Sequence, residues 1–502
     1  MYPSNGKYDV VIIGSGLGGL LCGYILFRNG YKVAIFEKNA QIGGCLQTFK
    51  RNGVKFDTGM HYVGSLDEGQ MLNKVWKYLN LFEDVKLSKL DPSGFDIISI
   101  AGKRYRFAAG FDNYVKGLCE RFPDEKESIE KYVEAVRTIG KSSPLYNLQR
   151  PHDNLYIESD YFKKSVNEFI NGIVSNEELR NVLVGNLPLY AGERNRTPIY
   201  VHALIQNFYI QSAFRIIGGG DAVSSSLAKS IRKMGGEIFN NSEVTHINCN
   251  DEKAVSITLK NGEIVEGEKF ISNIHPQSTL DMINSKLIRK AYRDRVSGLE
   301  NTVSNFTVYI LFKKNSVPYH NFNYYHFDEP DVWKSKDFTL ENIEKSYFYI
   351  HQCDEENQKY ARAASVICYM KYSDVAKWEG TKLGKRGKDY EEFKEQIAKR
   401  LLAKLEQAFP NTIDNIEAYY TSTPLTYFDY TATKEGSMYG VLRDVNSPSS
   451  TMVSQRTKIP NMFLTGQNIN SHGVLGVTIG ALITCAEFVG INKIIDDINN
   501  AK

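Results

Sequence analysis

The chain has 502 residues, more than one hydrophobic core usually serves, so about three units of roughly 150 residues are expected, in series or interleaved. Hydrophobic residues at 42%, aromatics at 12% and charged residues at 24% exclude a disordered chain and a small stapled module alike. The 61 basic and 58 acidic side chains leave a formal net charge of +3, too small an excess to neutralise a phosphate backbone, so no nucleic-acid partner is expected.

Residues 1–8 are polar and lack the basic stretch and apolar core of a secretory signal, so export is not expected. Residues 10–27 then carry no charge over a length close to that of a spanning helix. Gly14, Gly16, Gly18, Gly19 and Gly23 argue against that reading, because a lipid-exposed helix loses backbone order at each of them. A strand over 8–13, a turn and a helix over 20–28 fit better, with YKVAIFE at 31–37 as the returning strand.

The turn reads GxGxxG through Gly14, Ser15, Gly16, Leu17 and Gly19. In such a βαβ unit the first glycine permits the sharp turn, the second lets a pyrophosphate approach, and the third lets the helix pack on the sheet. Glu37 ends the second strand, where its carboxylate accepts hydrogen bonds from both hydroxyls of an adenosine ribose. After Lys38 come Gly43, Gly44, Cys45 and Leu46. This second flexible stretch is either a simple hairpin or a place where amides pass along an extended cofactor, which suits FAD.

The pattern EKxxxxGG after GxGxxG resembles the two-dinucleotide-binding flavoproteins of the amine oxidase and phytoene desaturase superfamily. GVKFDTGMHYVG at 53–64 is similar to a segment of the phytoene desaturase, carotenoid isomerase and retinol saturase group, with the retinol saturase branch the nearest match. Asp91 to Asp96 (DPSGFD), Phe122 with Pro123, TPLT at 423–426 and GSMYG at 436–440 resemble further landmarks of that branch. The resemblance implies that Gly59, Met60, His61 and Tyr62 lie near an isoalloxazine ring, with His61 and Tyr62 as candidate catalytic residues. His61 is equally well read as a packed, hydrogen-bonded side chain, and Asp57 as an acceptor that stabilises a turn.

Further along, Gly218, Gly219 and Gly220 precede an amphipathic helix over 223–234. Val223 stands where a third motif glycine is required, so no second nucleotide site is assigned. The resemblance implies instead a linker re-entering the cofactor domain, followed by Val244 giving its backbone to adenine. A hairpin of 255–259 and 263–265 is expected around Asn261 and Gly262. Residues 305–313 and 364–372 read as strands, and 392–409 as a core helix stopped by Pro410. The basic loop 377–388 with Trp378 is read as solvated, with an anionic membrane surface as the alternative. Aromatic residues crowd 319–333, 347–349 and 427–430, either as packing or as walls for a flat apolar substrate.

Near the C-terminus a strand is expected over 462–464, a turn at Gly466 and Gln467, and a helix from Gly473 to 488. By resemblance the turn lies beside the pyrophosphate and ribityl chain. Val474, Leu475 and Gly476 then open a helix whose N-terminus faces the pyrimidine edge of the flavin, where reduction gathers negative charge.

Seven scattered cysteines show no CxxC pair and suggest a reducing, cytoplasmic setting, with peripheral membrane contact as an open addition. Nine dispersed histidines show no HxxxH or HExxH spacing, so no metal site is expected. The expected fold is α/β: a discontinuous Rossmann-like FAD-binding domain from 1–90, 212–275 and 440–502, with an inserted α+β substrate domain from 91–211 and 276–439. The expected function is an FAD-dependent oxidoreductase acting on C–C or C=C bonds of an apolar polyene or isoprenoid, with an unidentified electron donor or acceptor. Saturation would need a proton, for which His61, Tyr62 or a tyrosine in 427–430 is a candidate. An amine- or porphyrinogen-oxidase-like enzyme and a non-catalytic flavin-bound lipid-binding protein are the alternatives.

Overall fold

The computed structural model describes residues 7–150 and 160–501, so most of the polar N-terminal stretch, residues 1–6, lies outside them. The uncharged stretch that raised the membrane question folds as the strand Tyr8–Ile13 and the helix Leu17–Arg28, joined by the glycine turn. YDVVII is apolar on both faces because it is covered on both faces, as a parallel strand inside an α/β sheet is. Val10 lies opposite Val33 of the strand Val33–Phe36 on one side and Lys269 of Ile264–Ser272 on the other. Glu237–Phe239 extends the sheet beyond Val33–Phe36, and Met462–Leu464 pairs in parallel with Phe270 to Ser272.

The strand Ile264–Ser272 runs seven residues past the hairpin arm expected at 263–265. Its first half alternates exposed and buried residues and pairs antiparallel with Ala254–Leu259. From Phe270 onward both faces are buried, and the same strand enters the parallel sheet between Tyr8–Ile13 and Met462–Leu464. The helix Gly473–Val489 packs on Leu17–Arg28 closely enough for the Cys485 thiol to reach the Cys22 carbonyl at 4.0 Å. Both helices are apolar on most faces because both are buried. Among the described residues no single helix is long and apolar enough to cross a membrane.

A second, mixed sheet takes the order Ile416–Ser422, Ser304–Phe312, Ala363–Met370, Ser346–His351, Asn323–Phe327, Asp96–Ile100, Lys103–Phe107. All its neighbours are antiparallel except Asn323–Phe327 and Asp96–Ile100, which pair in parallel. The helix Lys388–Ala408 buries Ile397, Leu401 and Leu405 in one core with Phe306 and Val308. A second core gathers the helices Phe111–Arg121, Lys126–Ser142 and Ile199–Gln211 around Tyr325 and Phe348. A small sheet, with Ala213–Ile216 between Val63–Gly64 and Leu87–Lys89, lies between the two large ones in sequence and brings Arg215 inward. In the basic loop, Trp378 is turned into the protein and donates its indole N–H to Asp389 at 2.8 Å.

Candidate active site

A cavity of about 640 Å³ opens at the carboxyl ends of the parallel strands, where Ile13, Phe36, Asn273 and Gly466 meet it. This is the crevice in which open α/β sheets bind their ligands. Glycine makes the crevice possible. Gly14 and Gly466 have φ of +90° and +94°, which L side chains rarely adopt. A methyl on Gly18 would stand 2.6 Å from the Asn273 amide and 3.0 Å from the Gly466 nitrogen, and one on Gly44 would stand 3.1 Å from the Gly16 Cα. Three pieces of chain, distant in sequence, are thereby held backbone to backbone. Gly43 donates to the Ser15 carbonyl at 3.0 Å and completes the contact. The helix Leu17–Arg28 opens on the cavity with no cap from its own N-cap residue, Gly16, which leaves the Leu17 and Gly18 amides to an anion.

Of the expected site residues, Gly14, Gly16, Leu17, Glu37, Lys38, Gly43, Gly44, Cys45 and Leu46 line the cavity from its first wall. Gly59, Met60, His61, Tyr62, Val244, Gly466, Gln467 and Val474 line it from the others. Ser15, Gly19, Leu475 and Gly476 lie behind the wall. Ser15 is fully buried, and its N–H and hydroxyl donate to one oxygen of Glu37 at 3.0 and 2.6 Å, while the Asn39 N–H donates to the other at 2.9 Å. Ser15 therefore aims the carboxylate. Gly19 sits against the Gly14 carbonyl, Leu475 packs into the apolar core, and Gly476 abuts Ser471. Replacing Glu37 by alanine strands the Ser15 and Asn39 donors and removes a negative acceptor from the crevice. Flavin affinity is expected to fall about 10- to 100-fold, the cost of one or two charge-assisted hydrogen bonds, as measured by titrating apoprotein with FAD.

Asn273, Ile274 and His275 also form the crevice, and the sequence reading did not assign them. In the amide orientation that satisfies both ends, the Asn273 oxygen accepts from the Gly16 and Gly19 N–H groups at 3.2 and 3.3 Å and ties the glycine turn to the central strand. The available signal was the apolar FIS that ends at Ser272, directly ahead of Asn273. Residues 427–430, read as packing or as an aromatic wall, belong to the helix Pro424–Thr431. It lies over the crevice mouth, where Lys38 donates to the Asp429 carbonyl at 2.8 Å and Asn39 to the Tyr430 carbonyl at 2.9 Å. Tyr427, a candidate proton source, spends its hydroxyl proton on the Thr58 carbonyl at 2.6 Å.

The far end of the cavity is aromatic. Tyr62 faces Tyr209 with ring centroids 4.4 Å apart, and Tyr325 stacks on Phe348 at 4.4 Å. Burial and then the Arg215 cation bring His61 down to about 4, so at neutral pH it is an uncharged ring rather than an acid. His472, also held down to about 4 chiefly by burial, donates to the Leu189 carbonyl at 2.9 Å and stacks on Tyr439. Asp57, pushed up to about 7 by burial, accepts from the Gly220 N–H at 2.7 Å, which assigns the glycine run 218–220 to holding the loop before Gly59. Among the described residues no group of three or more His, Cys, Asp or Glu is arranged to hold a metal ion.

A βαβ turn stripped of side chains, a carboxylate held at the end of the next strand and a long cavity ending in aromatic rings define a dinucleotide-binding flavoenzyme. The cradle fits FAD, because the close approaches at Gly16, Gly18, Gly44 and Gly466 leave the backbone bare where a pyrophosphate must pass. The chain belongs to the flavin containing amine oxidoreductase family, whose model matches residues 17–486. It is 26% identical to the human all-trans-retinol 13,14-reductase over 98% of this chain and 87% of that one. It is 23% identical to the chloroplastic prolycopene isomerase 1 of an Oncidium hybrid cultivar over 97% of this chain and 85% of that one. Among solved structures, a putrescine oxidase with putrescine bound superposes with a TM-score of 0.64 at 16% identity, covering 99% of this chain and 100% of that one. The protein is an FAD-dependent oxidoreductase.

Proposed function

We propose that the enzyme adds or removes hydrogen at a C–C or C=C bond of an apolar polyene or isoprenoid. The observation that carries this is the course of the cavity. It runs from the glycine crevice into a compartment walled by Tyr62, Tyr209, Tyr325, Phe348, Tyr369 and Tyr439. Among the described lining residues the two carboxylates, Glu37 and Glu243, stand at the opposite end beside Lys38. A substrate amine would enter as a cation with no carboxylate to meet it, whereas a conjugated chain gains contact area from every ring. The retinol reductase and prolycopene isomerase relatives, named for polyene chemistry, support the same choice.

When bound, FAD supplies a centre that accepts or donates a hydride. The chain's own part is to hold and to exclude. The crevice amides take the pyrophosphate, Glu37 the ribose, and the N-terminus of Gly473–Val489 offers positive potential where negative charge develops. The aromatic walls keep water from the reacting bond and set its orientation. Anaerobic reduction of the holoprotein with dithionite, followed by addition of all-trans-retinol or prolycopene, is expected to restore the oxidised flavin spectrum. Reduction of the oxidised flavin by putrescine with consumption of oxygen, and no response of the reduced flavin to either polyene, would overturn the reading.

A further inference from the structure

Asp96 has none of its surface exposed, although no cofactor contact or surface cation explains a carboxylate there. It closes the turn DPSGFD and begins the strand Asp96–Ile100, which is buried throughout. The Asn323 side-chain N–H donates to one oxygen at 2.8 Å. The other oxygen lies 3.1 Å from the Tyr62 hydroxyl, which lies 2.7 Å from the Tyr325 hydroxyl. Tyr62 is the one hydrogen-bond partner of the Tyr325 hydroxyl among the described residues, and both rings line the cavity. A carboxyl group is thus joined to the substrate compartment by two hydroxyls in series.

We propose that Asp96, Tyr62 and Tyr325 form a proton relay that serves the substrate carbon adjacent to the one exchanging hydride. This rests on the polyene reading above. Adding hydrogen across C=C takes one hydride, which carries both electrons, and one proton. The Tyr325 O–H bond breaks as a C–H bond forms, Tyr62 passes its proton to Tyr325, and the Asp96 carboxyl re-protonates Tyr62. The resulting carboxylate takes a proton from water after product leaves, and a two-electron reductant of the dithionite or dihydronicotinamide class restores the hydride source. In the desaturating direction each transfer reverses.

The surroundings suit a carboxyl that exchanges its proton near neutrality. Burial pushes Asp96 up to about 7, against the lowering pull of Asn323, Tyr62, Asn186 and Arg215. Tyr325 on its sheet neighbour, Tyr209 on Ile199–Gln211 and Tyr114 on Phe111–Arg121 are the other titratable groups facing it, and each is driven upward by burial and stays neutral. Arg215 reaches it through Asn323, whose oxygen lies 3.2 Å from the guanidinium. Asp96 does not line the cavity and acts through Tyr62, so its part is to supply and position a proton. Tyr325 is the group that meets substrate.

Two measurements test the relay. Infrared titration of the holoprotein from pH 5 to about 9 is expected to show protonated carboxyl absorption that is lost near pH 7, from both Asp96 and Asp57, and Asp96→Asn should remove the Asp96 share of it. A band unaltered by that substitution overturns the relay. Single-turnover oxidation of the dithionite-reduced holoprotein by all-trans-retinol is expected to be fastest below pH 7 and to fall about tenfold per pH unit well above it. Asp96→Asn should remove that limb and slow the step at least about tenfold, and Tyr325→Phe should slow it about 100-fold with the flavin spectrum retained. A wild-type pH limb that survives in Asp96→Asn, or a Tyr325→Phe enzyme at wild-type rate, overturns the relay while leaving the polyene reading intact. If wild type is not oxidised by retinol or prolycopene, the polyene reading fails and the relay falls with it, whatever the carboxyl band shows.

Discussion

Gly19→Ala is expected to bind FAD at least about 100-fold more weakly and to purify with little flavin colour. An added methyl would stand 2.1 Å from the Gly14 carbonyl oxygen, a backbone atom that cannot rotate away. The helix Leu17–Arg28 must then lift from the strand Tyr8–Ile13, at a cost at or above the ~3 kcal/mol usual for overpacking. The movement carries Gly16 and Gly18 with it and breaks their approach to Asn273 and Gly466, so the crevice loses its shape even though Gly19 lines no part of it. A drop of about 3 kcal/mol in the crevice alone is roughly a 100-fold loss of affinity. Gly30→Ala is the control: its φ is +88°, yet nothing lies within 4 Å. It should cost about 1 to 2 kcal/mol of backbone strain and keep its flavin absorbance. Loading of Gly19→Ala at wild-type stoichiometry would show that the crevice is not where the cofactor sits.

The second large effect is expected at Arg215, on the strand Ala213–Ile216. The residue is 1% exposed, and its guanidinium donates to the Tyr319 hydroxyl, the His320 and Phe322 carbonyls and the Asn323 side chain. Arg215→Met keeps the stem and its packing but leaves the buried Asn323 oxygen and three half-buried acceptors without their donor. The expected destabilisation is about 3 to 5 kcal/mol, read as a lower urea midpoint. A second readout separates loss of charge from general damage. Removing the cation takes away one of the two causes that hold His61 down, so its imidazole should titrate above 4 by NMR while burial still keeps it below 6.5. A variant with the wild-type midpoint and an unmoved His61 would mean that Arg215 is neither a brace nor a source of field at the site.

The two effects differ in how far they could be read in advance. Gly19 stands in a motif whose logic is local: a strand, a turn that side chains would block, and a helix, all within residues 8–28. The same holds for Glu37 at the end of the next strand and for Met462–Leu464 before its glycine turn. Arg215 carries no such mark. It lies in an apolar run, and the groups that hold it are 104 to 108 residues away. The strand Ile264–Ser272 shows the intermediate case. Its alternating half announced a hairpin, but its continuous half reads like any buried segment, and only pairing with Tyr8–Ile13 made it the strand that delivers Asn273.

Aromatic residues show the limit most clearly. Tyr62, Tyr325 and Tyr427 are alike as letters, yet Tyr427 is engaged by a carbonyl while Tyr62 and Tyr325 join a carboxylate to the cavity. The sequence by itself determined an α/β flavoenzyme, because nucleotide crevices are built from short-range turns whose glycines and acids have few substitutes. Which hydroxyls face substrate, which carboxyl stands behind them and which helix closes the crevice were decided only by tertiary structure. Those contacts join residues up to 391 positions apart, and no periodicity along a chain records a distance of that kind.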